Sequence, residues 1–304
     1  MHDGIEIIDA HMHLYTSRFS RHIEAELAAR PPRVREAARI WKEGFLKKYN
    51  SEIQEENEDP PAQIAADWAA ELDKQGVDKA LFLALYPEDN DLTEFVSARP
   101  GRFYGLATVD PRDPQAPELL RKRVVEEGYV GLKLYPPTQY FLPSERALYP
   151  LYEEARGLDI PVVFHLGITL HYDADLRYAN PLELHPVARD FPDLPLVVPH
   201  FGSGYLQELL FLAYHVHNLY LETSGKNIWT EYLPYPLTLK QAFEKGLEVF
   251  GPERIIFGTD SRMLSRGYRK DVLERQLAIL TEIKTGREET ALIMGGNIRR
   301  LVKI

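Results

Sequence analysis

The chain has 304 residues, 44% hydrophobic and 27% charged, with 46 acidic against 36 basic side chains and a formal charge of −10. That length allows two domains or one large α/β barrel, the ordinary composition argues against disorder, and the acidic balance makes nucleic acid a poor partner expectation. Cysteine is absent, which removes disulfides, thiolate ligands and a thiol nucleophile, so any metal must be held by histidine and carboxylate. The opening MHDGIEIID lacks a charged region followed by an apolar stretch, and no segment approaches the roughly 18 apolar residues that span a bilayer, so a cytoplasmic protein away from membranes is expected.

The first β-rich run, IEIIDAHMH (5–13), ends in two histidines. Side chains alternate along a strand, so His11 and His13 point the same way and form a pincer. A hydrogen-bonded core histidine beside a surface one is the plainer reading of the pair alone. Residues 18–63 then break the regular spacing: a helical, charge-rich VREAARIWKEGFLKKY is followed by the acidic SEIQEENEDPP. Connections this long are commonly lids or binding elements. Trp41, Arg39 and Lys42 are the lid candidates, and a decorative surface helix pair is the alternative.

Further strands are predicted at KALFLAL (79–85), FYGLATVD (103–110), VGLKLYP (130–136), PVVFHLG (161–167), PLVVPHFG (195–202), LYLETSG (219–225) and RIIFGTDS (254–261). Helical patterns lie between most of them, such as IAADWAAELDKQG (64–76) and PELLRKRVVEEG (117–128), each stopped by glycine. PYPLT (234–238) reads as loop. Eight strands alternating with helices predict one domain over 1–304, a (β/α)8 TIM barrel with a helical insertion after the first strand. An open doubly wound sheet would want a Gly-rich turn after that strand, where HMHLYTS stands instead.

In such a barrel the C-terminal strand ends share one mouth, where catalysis takes place. The sequence places there His11 and His13, Lys133, His165, His200 and Asp260, each after an apolar run. One of these could be a satisfied core group; several converging on one mouth are not explained that way. Neutral imidazoles and one carboxylate suit zinc and related divalent ions, three histidines with Asp260 would leave an open position, and a further histidine could act as general acid or base. Tyr135 shares the side of Lys133. His171 falls in the loop after the fifth strand, and Arg262 directly after Asp260 is a candidate for an anionic substrate. His185 lies in a helical pattern and is expected to be packed or capped. His215 and His217 precede the seventh strand, at the opposite face of the barrel. Along LYLETSG either Glu222 and Ser224 or Thr223 faces the interior. Tyrosines at 15, 135, 140, 172 and 178 are available for ring contacts.

IDAHMHL, GLKLYPP, VVFHLG, LVVPHFG, YLETSG, IIFGTDS and the terminal LIMGGNIRRLVKI, in this order, resemble the amidohydrolase superfamily, in the amidohydrolase-related branch that includes aminocarboxymuconate-semialdehyde decarboxylase and the resorcylate decarboxylases. The resemblance runs from Ile7 to the C-terminus and leaves the insertion uncovered. It implies His11, His13, His165 and Asp260 as ligands of one divalent metal, usually zinc and in some members manganese, with His200 as acid/base. For Lys133 it leaves three roles open: carboxylation to bridge a second metal, for which His200 would then be a ligand; binding of a substrate carboxylate; or a structural ion pair. The expected activity is metal-dependent hydrolysis of a small, carboxylated substrate by activated water, with His200, Asp260 and Lys133 catalytic and Tyr135, His171 and Arg262 touching substrate. Decarboxylation of an aromatic or unsaturated acid is the alternative, followed by a metal-free lactonase or a non-catalytic binding barrel. A small-molecule partner and a homodimer or larger assembly are expected on the same grounds.

Overall fold

The computed structural model describes residues 4–49, 57–87 and 89–304. Part of the acidic stretch of the insertion, residues 50–56, lies outside them. Eight strands, β1 (Ile8–Met12), β2 (Lys79–Leu83), β3 (Phe103–Ala107), β4 (Gly131–Leu134), β5 (Val162–Phe164), β6 (Leu196–Val198), β7 (Leu219–Glu222) and β8 (Ile255–Ile256), pair in sequential order. All seven pairings are parallel. The last strand meets the first through a parallel bridge between Met12 and Ser261, and Ala10, His13 and Asp260 donate backbone hydrogen bonds to Phe257, Ser261 and His11. The ring therefore closes as the (β/α)8 barrel read from the sequence.

Alternate residues divide the strands between two cores. Leu81, Leu83, Leu106, Val163, Val197 and Ile256 fill the interior together with Ile8 and Ala10. Phe82, Ala107, Leu132, Leu134, Phe164 and Val198 face the helices, where Phe95 and Phe103 stack and Phe82 meets both edge to face, at centroid distances of 4.5–5.2 Å. β1 changes phase. Ile8 and Ala10 point inward, yet Met12 belongs to the outer core, because the register slips between Asp9 and Met12. Such a bulge adds one residue and re-aims the side chains beyond it, which turns His11 and His13 inward above Ala10.

The closing seam is held by Asp9. Its carboxylate accepts from the backbone of His11 and Thr259 at 3.0 and 3.1 Å and from the Thr259 hydroxyl at 2.5 Å.

Two helices, α1 (Ser17–Ala28) and α2 (Pro32–Lys48), form most of the described insertion and bury no residue of their own. Thr16 caps α1 by accepting from Phe19, and Pro32 at the first position of α2 suits a group that needs no partner there. The pair is tied to the barrel by polar contacts: Arg18 to Asp91 at 3.0 Å, Arg30 to Asp173 at 3.0 Å, and Lys48 and Tyr49 to the Tyr232 hydroxyl at 2.8 and 2.7 Å. The next helix, α3 (Pro61–Gln75), buries Ile64, Ala65, Trp68 and Leu72 and ends at Gly76 with φ +68°, the left-handed stop its sequence predicts. His185 is exposed, and the packing expected of it is limited to a ring contact with His215 at 5.5 Å. No described helix is long and apolar enough to cross a membrane.

Replacing Asp9 with alanine leaves three buried donors without an acceptor and is expected to cost about 2–4 kcal/mol, read as a lowered urea midpoint at unchanged m-value. An unchanged midpoint would show that the seam does not depend on it.

Candidate active site

The bulge and the seam bring three groups together. His13 Nδ1 donates to the Leu83 carbonyl at 3.1 Å, and His11 Nδ1 donates to Glu222 Oε2 at 2.9 Å. Burial pushes the Glu222 carboxyl up to about 8, but the Ser224 amide at 2.5 Å and hydroxyl at 2.8 Å both donate to it, and with these donors it serves as the acceptor. Both rings thus carry their proton on Nδ1. Their bare Nε2 atoms face each other at 3.2 Å. Burial holds His11 well below the ordinary histidine range; it lowers His13 to about 4, against the pull of Asp260. Two lone pairs this close, with no proton between them, are stabilised by a shared cation.

Asp260 Oδ1 lies 3.6 Å from His13 Nε2. Its backbone sits at φ +60°, a conformation costly for a non-glycine residue and held here by the bond from its amide to His11. Burial would raise the Asp260 carboxyl, but Arg262 and Arg269 keep it below its ordinary value, and Arg269 Nη1 is 3.3 Å from Oδ2. His165 Nε2 is buried and has no hydrogen-bond partner. Neutral imidazoles, one ionised carboxylate and an unpartnered ring nitrogen are the donor set a divalent ion takes. His11, His13 and Asp260 present ligand atoms within 4.8 Å of one another, and His11, His200 and Glu222 form a second such group. Glu222 needs room: a Cβ on Gly258 would lie 2.5 Å from its Oε1 and 2.8 Å from the His11 Cβ.

His200 stands beside these ligands, its ring centroid 4.8 Å from that of His11 and 5.1 Å from that of His165. It sits in a left-handed turn with Phe201 and Ser203, at φ +59°, +53° and +43°. Its Nδ1 faces the Ser224 hydroxyl at 2.7 Å and the Ser224 carbonyl at 3.2 Å, leaving Nε2 as the nitrogen free to exchange a proton. Burial lowers it to about 4, opposed by Asp260. Lys133 is wholly buried without a hydrogen-bond partner, 4.9 Å from the Tyr135 ring, and burial lowers it to about 7 against Glu222 and Asp260.

Above the ligands lies a cavity of about 840 Å³. Tyr135, His171 and Arg262 line it as expected, although the Tyr135 hydroxyl is committed to the Ala84 carbonyl at 2.8 Å and offers substrate its ring. Tyr15 and Tyr140 also line it, whereas Tyr172 and Tyr178 do not. The insertion contributes Phe19, His22 and Ile23 from α1 and Phe45 from α2. This corrects the lid residues named from the sequence. Arg39 pairs with Glu36 and Glu43 in solvent, Lys42 is exposed, and Trp41 stands behind the wall, stacked on Phe45 at 5.8 Å. Sequence reasoning missed Arg269, which lies nine residues past Asp260 in a loop without periodicity, and the buried pocket residue Thr108.

A family model described as amidohydrolase matches residues 8–304. Gamma-resorcylate decarboxylase of Rhodococcus jostii (strain RHA1) is 27% identical over 221 residues, covering 56% of this chain and 63% of that enzyme, less than two thirds of its length. The crystal structure of 5-carboxyvanillate decarboxylase LigW from Sphingomonas paucimobilis superimposes with TM-score 0.69 at 16% identity, covering 99% of this chain and 100% of that one. The corresponding enzyme of Novosphingobium aromaticivorans, complexed with manganese and 4-hydroxy-3-methoxy-5-nitrobenzoic acid, gives 0.66 at 16% identity over 99% and 97%. A probable 2-pyrone-4,6-dicarboxylic acid hydrolase from Acinetobacter baumannii gives 0.65 at 16% over 99% and 100%. At these identities the structural likeness concerns the fold alone.

Because Glu222 orients His11, Glu222→Gln is expected to weaken divalent-ion binding roughly 10–100-fold, measured by competition with a chromophoric chelator. Unaltered affinity would remove Glu222 from this role.

Proposed function

The chain belongs to the amidohydrolase family, and from that premise we propose that it is a metal-dependent carboxy-lyase acting on a small aromatic or unsaturated carboxylic acid, with manganese or zinc held by His11, His13, His165 and Asp260. The observation that carries the proposal is the pair of bare His11 and His13 nitrogens 3.2 Å apart beside Asp260. The decarboxylase names of the 27%-identical relative and of two structural neighbours support carboxyl loss.

The ion, when bound, supplies a Lewis acid for a substrate oxygen or a water. Asp260, kept ionised by Arg262 and Arg269, holds its ligating oxygen in place. His200 relays the proton: its Nε2 first takes one from the substrate's own acid or hydroxyl group, and as the bond to the carboxyl carbon breaks, its electron pair stays on the substrate carbon, carbon dioxide leaves, and Nε2 returns that proton to the carbon. Ser224 keeps His200 turned so that Nε2 and not Nδ1 faces the cavity. The aromatic wall of Tyr15 and Phe19, stacked at 4.8 Å and 14°, suits a planar substrate, and the two-helix insertion excludes water above it.

Hydrolysis is the second reading. It is favoured by an ionised Asp260 next to the ligand pair, where the same carboxylate can take a proton from an attacking water, and by the hydrolase name of one structural neighbour.

The test is elemental analysis after gentle purification, coupled to a screen of hydroxybenzoates, unsaturated acids, lactones and amides scored for both carbon dioxide and released acid. About one ion per chain with carbon dioxide release is expected; acid release alone selects hydrolysis, and no ion after supplementation overturns both. His200→Asn should keep the ion and lose on the order of 10²–10⁴-fold in kcat, whereas Asp260→Asn should abolish turnover in a folded protein. If His200→Asn loses the ion instead, that residue is a ligand.

A further inference from the structure

Two buried polar atoms, one on the cavity floor and one beside it, are left without hydrogen-bond partners by everything described so far. Lys133 is wholly buried and Thr108 is 2% exposed, and neither the lysine nitrogen nor the threonine hydroxyl has a hydrogen-bond partner. The strand register makes them neighbours. Leu106 pairs with Gly131 and Ala107 with Leu132, so the next step of the β3–β4 ladder sets Thr108 beside Lys133. Ala107 and Leu132 face the helices, and alternation turns Thr108 and Lys133 inward. Thr108 lines the cavity.

A lysine buried with no hydrogen-bonded anion is rare and costly, and Glu222 and Asp260 act on this one only through space. Carbonyls at the same end of the barrel do not relieve it: that of Ala84 accepts from Tyr135 and that of Val109 from Gln139, each at 2.8 Å. An ammonium group offers only donors and a threonine hydroxyl one more, so what completes the pair must accept from both and carry negative charge. Thr108 follows β3 and Lys133 lies on β4, on strands other than those of the β8–β1 seam that carries Asp260, His11 and His13.

We propose that Thr108 and Lys133 form a carboxylate-binding subsite at the base of the cavity, which seats a carboxylate of the substrate beside the candidate ligand cluster. Thr108 is thereby a specificity-determining residue that selects acids over their neutral amides and esters. The inference rests on the proposed function only in taking the substrate to be a carboxylic acid.

The test titrates benzoate and its neutral counterpart benzamide into the zinc-loaded full chain by calorimetry, in the wild type, Thr108→Val and Lys133→Gln, with zinc content and melting temperature followed in parallel. The wild type should prefer benzoate. Thr108→Val should weaken benzoate roughly tenfold while leaving benzamide, zinc content and melting temperature unchanged, and Lys133→Gln should remove the preference. Benzoate affinity within twofold of wild type in Thr108→Val overturns the proposal, as does equal affinity for the two compounds in the wild type. A lysine carbamate resonance after incubation with ¹³C-bicarbonate, absent in Lys133→Gln, also overturns it, since Lys133 then carries an anion of its own. If the wild type takes up no zinc the proposed chemistry fails, and the same titrations on the metal-free protein still decide the subsite.

Discussion

Two imidazole nitrogens with their lone pairs turned on each other at 3.2 Å are the constraint around which the molecule is arranged. Left to themselves they would separate, or one would be protonated, and burial opposes the second course. What holds them is the commitment of each ring's other nitrogen, to the Leu83 carbonyl and to Glu222. A cation shared by the two nitrogens would offset the cost of that arrangement, and the proposed site thereby ties ion binding to the integrity of the barrel mouth.

Backbone irregularity is concentrated where these side chains are set. A bulge in β1 reverses the phase of the strand, and left-handed turns carry His200 and Asp260. The regular parts do the opposite work: sequential parallel pairing and two nested apolar layers give a rigid frame on which a few off-pattern residues can be placed accurately. α1 and α2 bury no residue of that frame and are fastened by polar and aromatic contacts at its rim, so they can be specialised for substrate without disturbing the barrel.

Much of this was legible in the sequence, for definite reasons. Apolar runs ending in His, Lys or Asp at barrel spacing marked the strands and the polar residues that gather at the mouth, because a strand buried on both faces leaves polar residues mainly at its ends. His11 and His13 were expected on one side and lie there, but the bulge that puts that side inward has no local signature in IIDAHMH. Arg269 reaches back nine residues to Asp260 along a loop, and Thr108 comes beside Lys133 through the β3–β4 ladder, so only a loop path or a register reveals them. The lid residues went astray for a different reason. A helix that buries no side chain has no apolar stripe to say which face looks down, so Trp41 stood out by its size while Phe45 forms the wall.

The seam at Asp9 and Thr259 joins residues 250 positions apart, and the ion donors lie on both sides of it. During synthesis the first strand therefore emerges with its imidazole pair already encoded but lacking its carboxylate, which arrives with the last strand of the ring. An ion sequestered early would have to be held by side chains that nothing yet orients. The proposed donor set is thus completed only by the last strand of the ring, and a fragment missing that strand keeps three of the four donors without the seam that sets them.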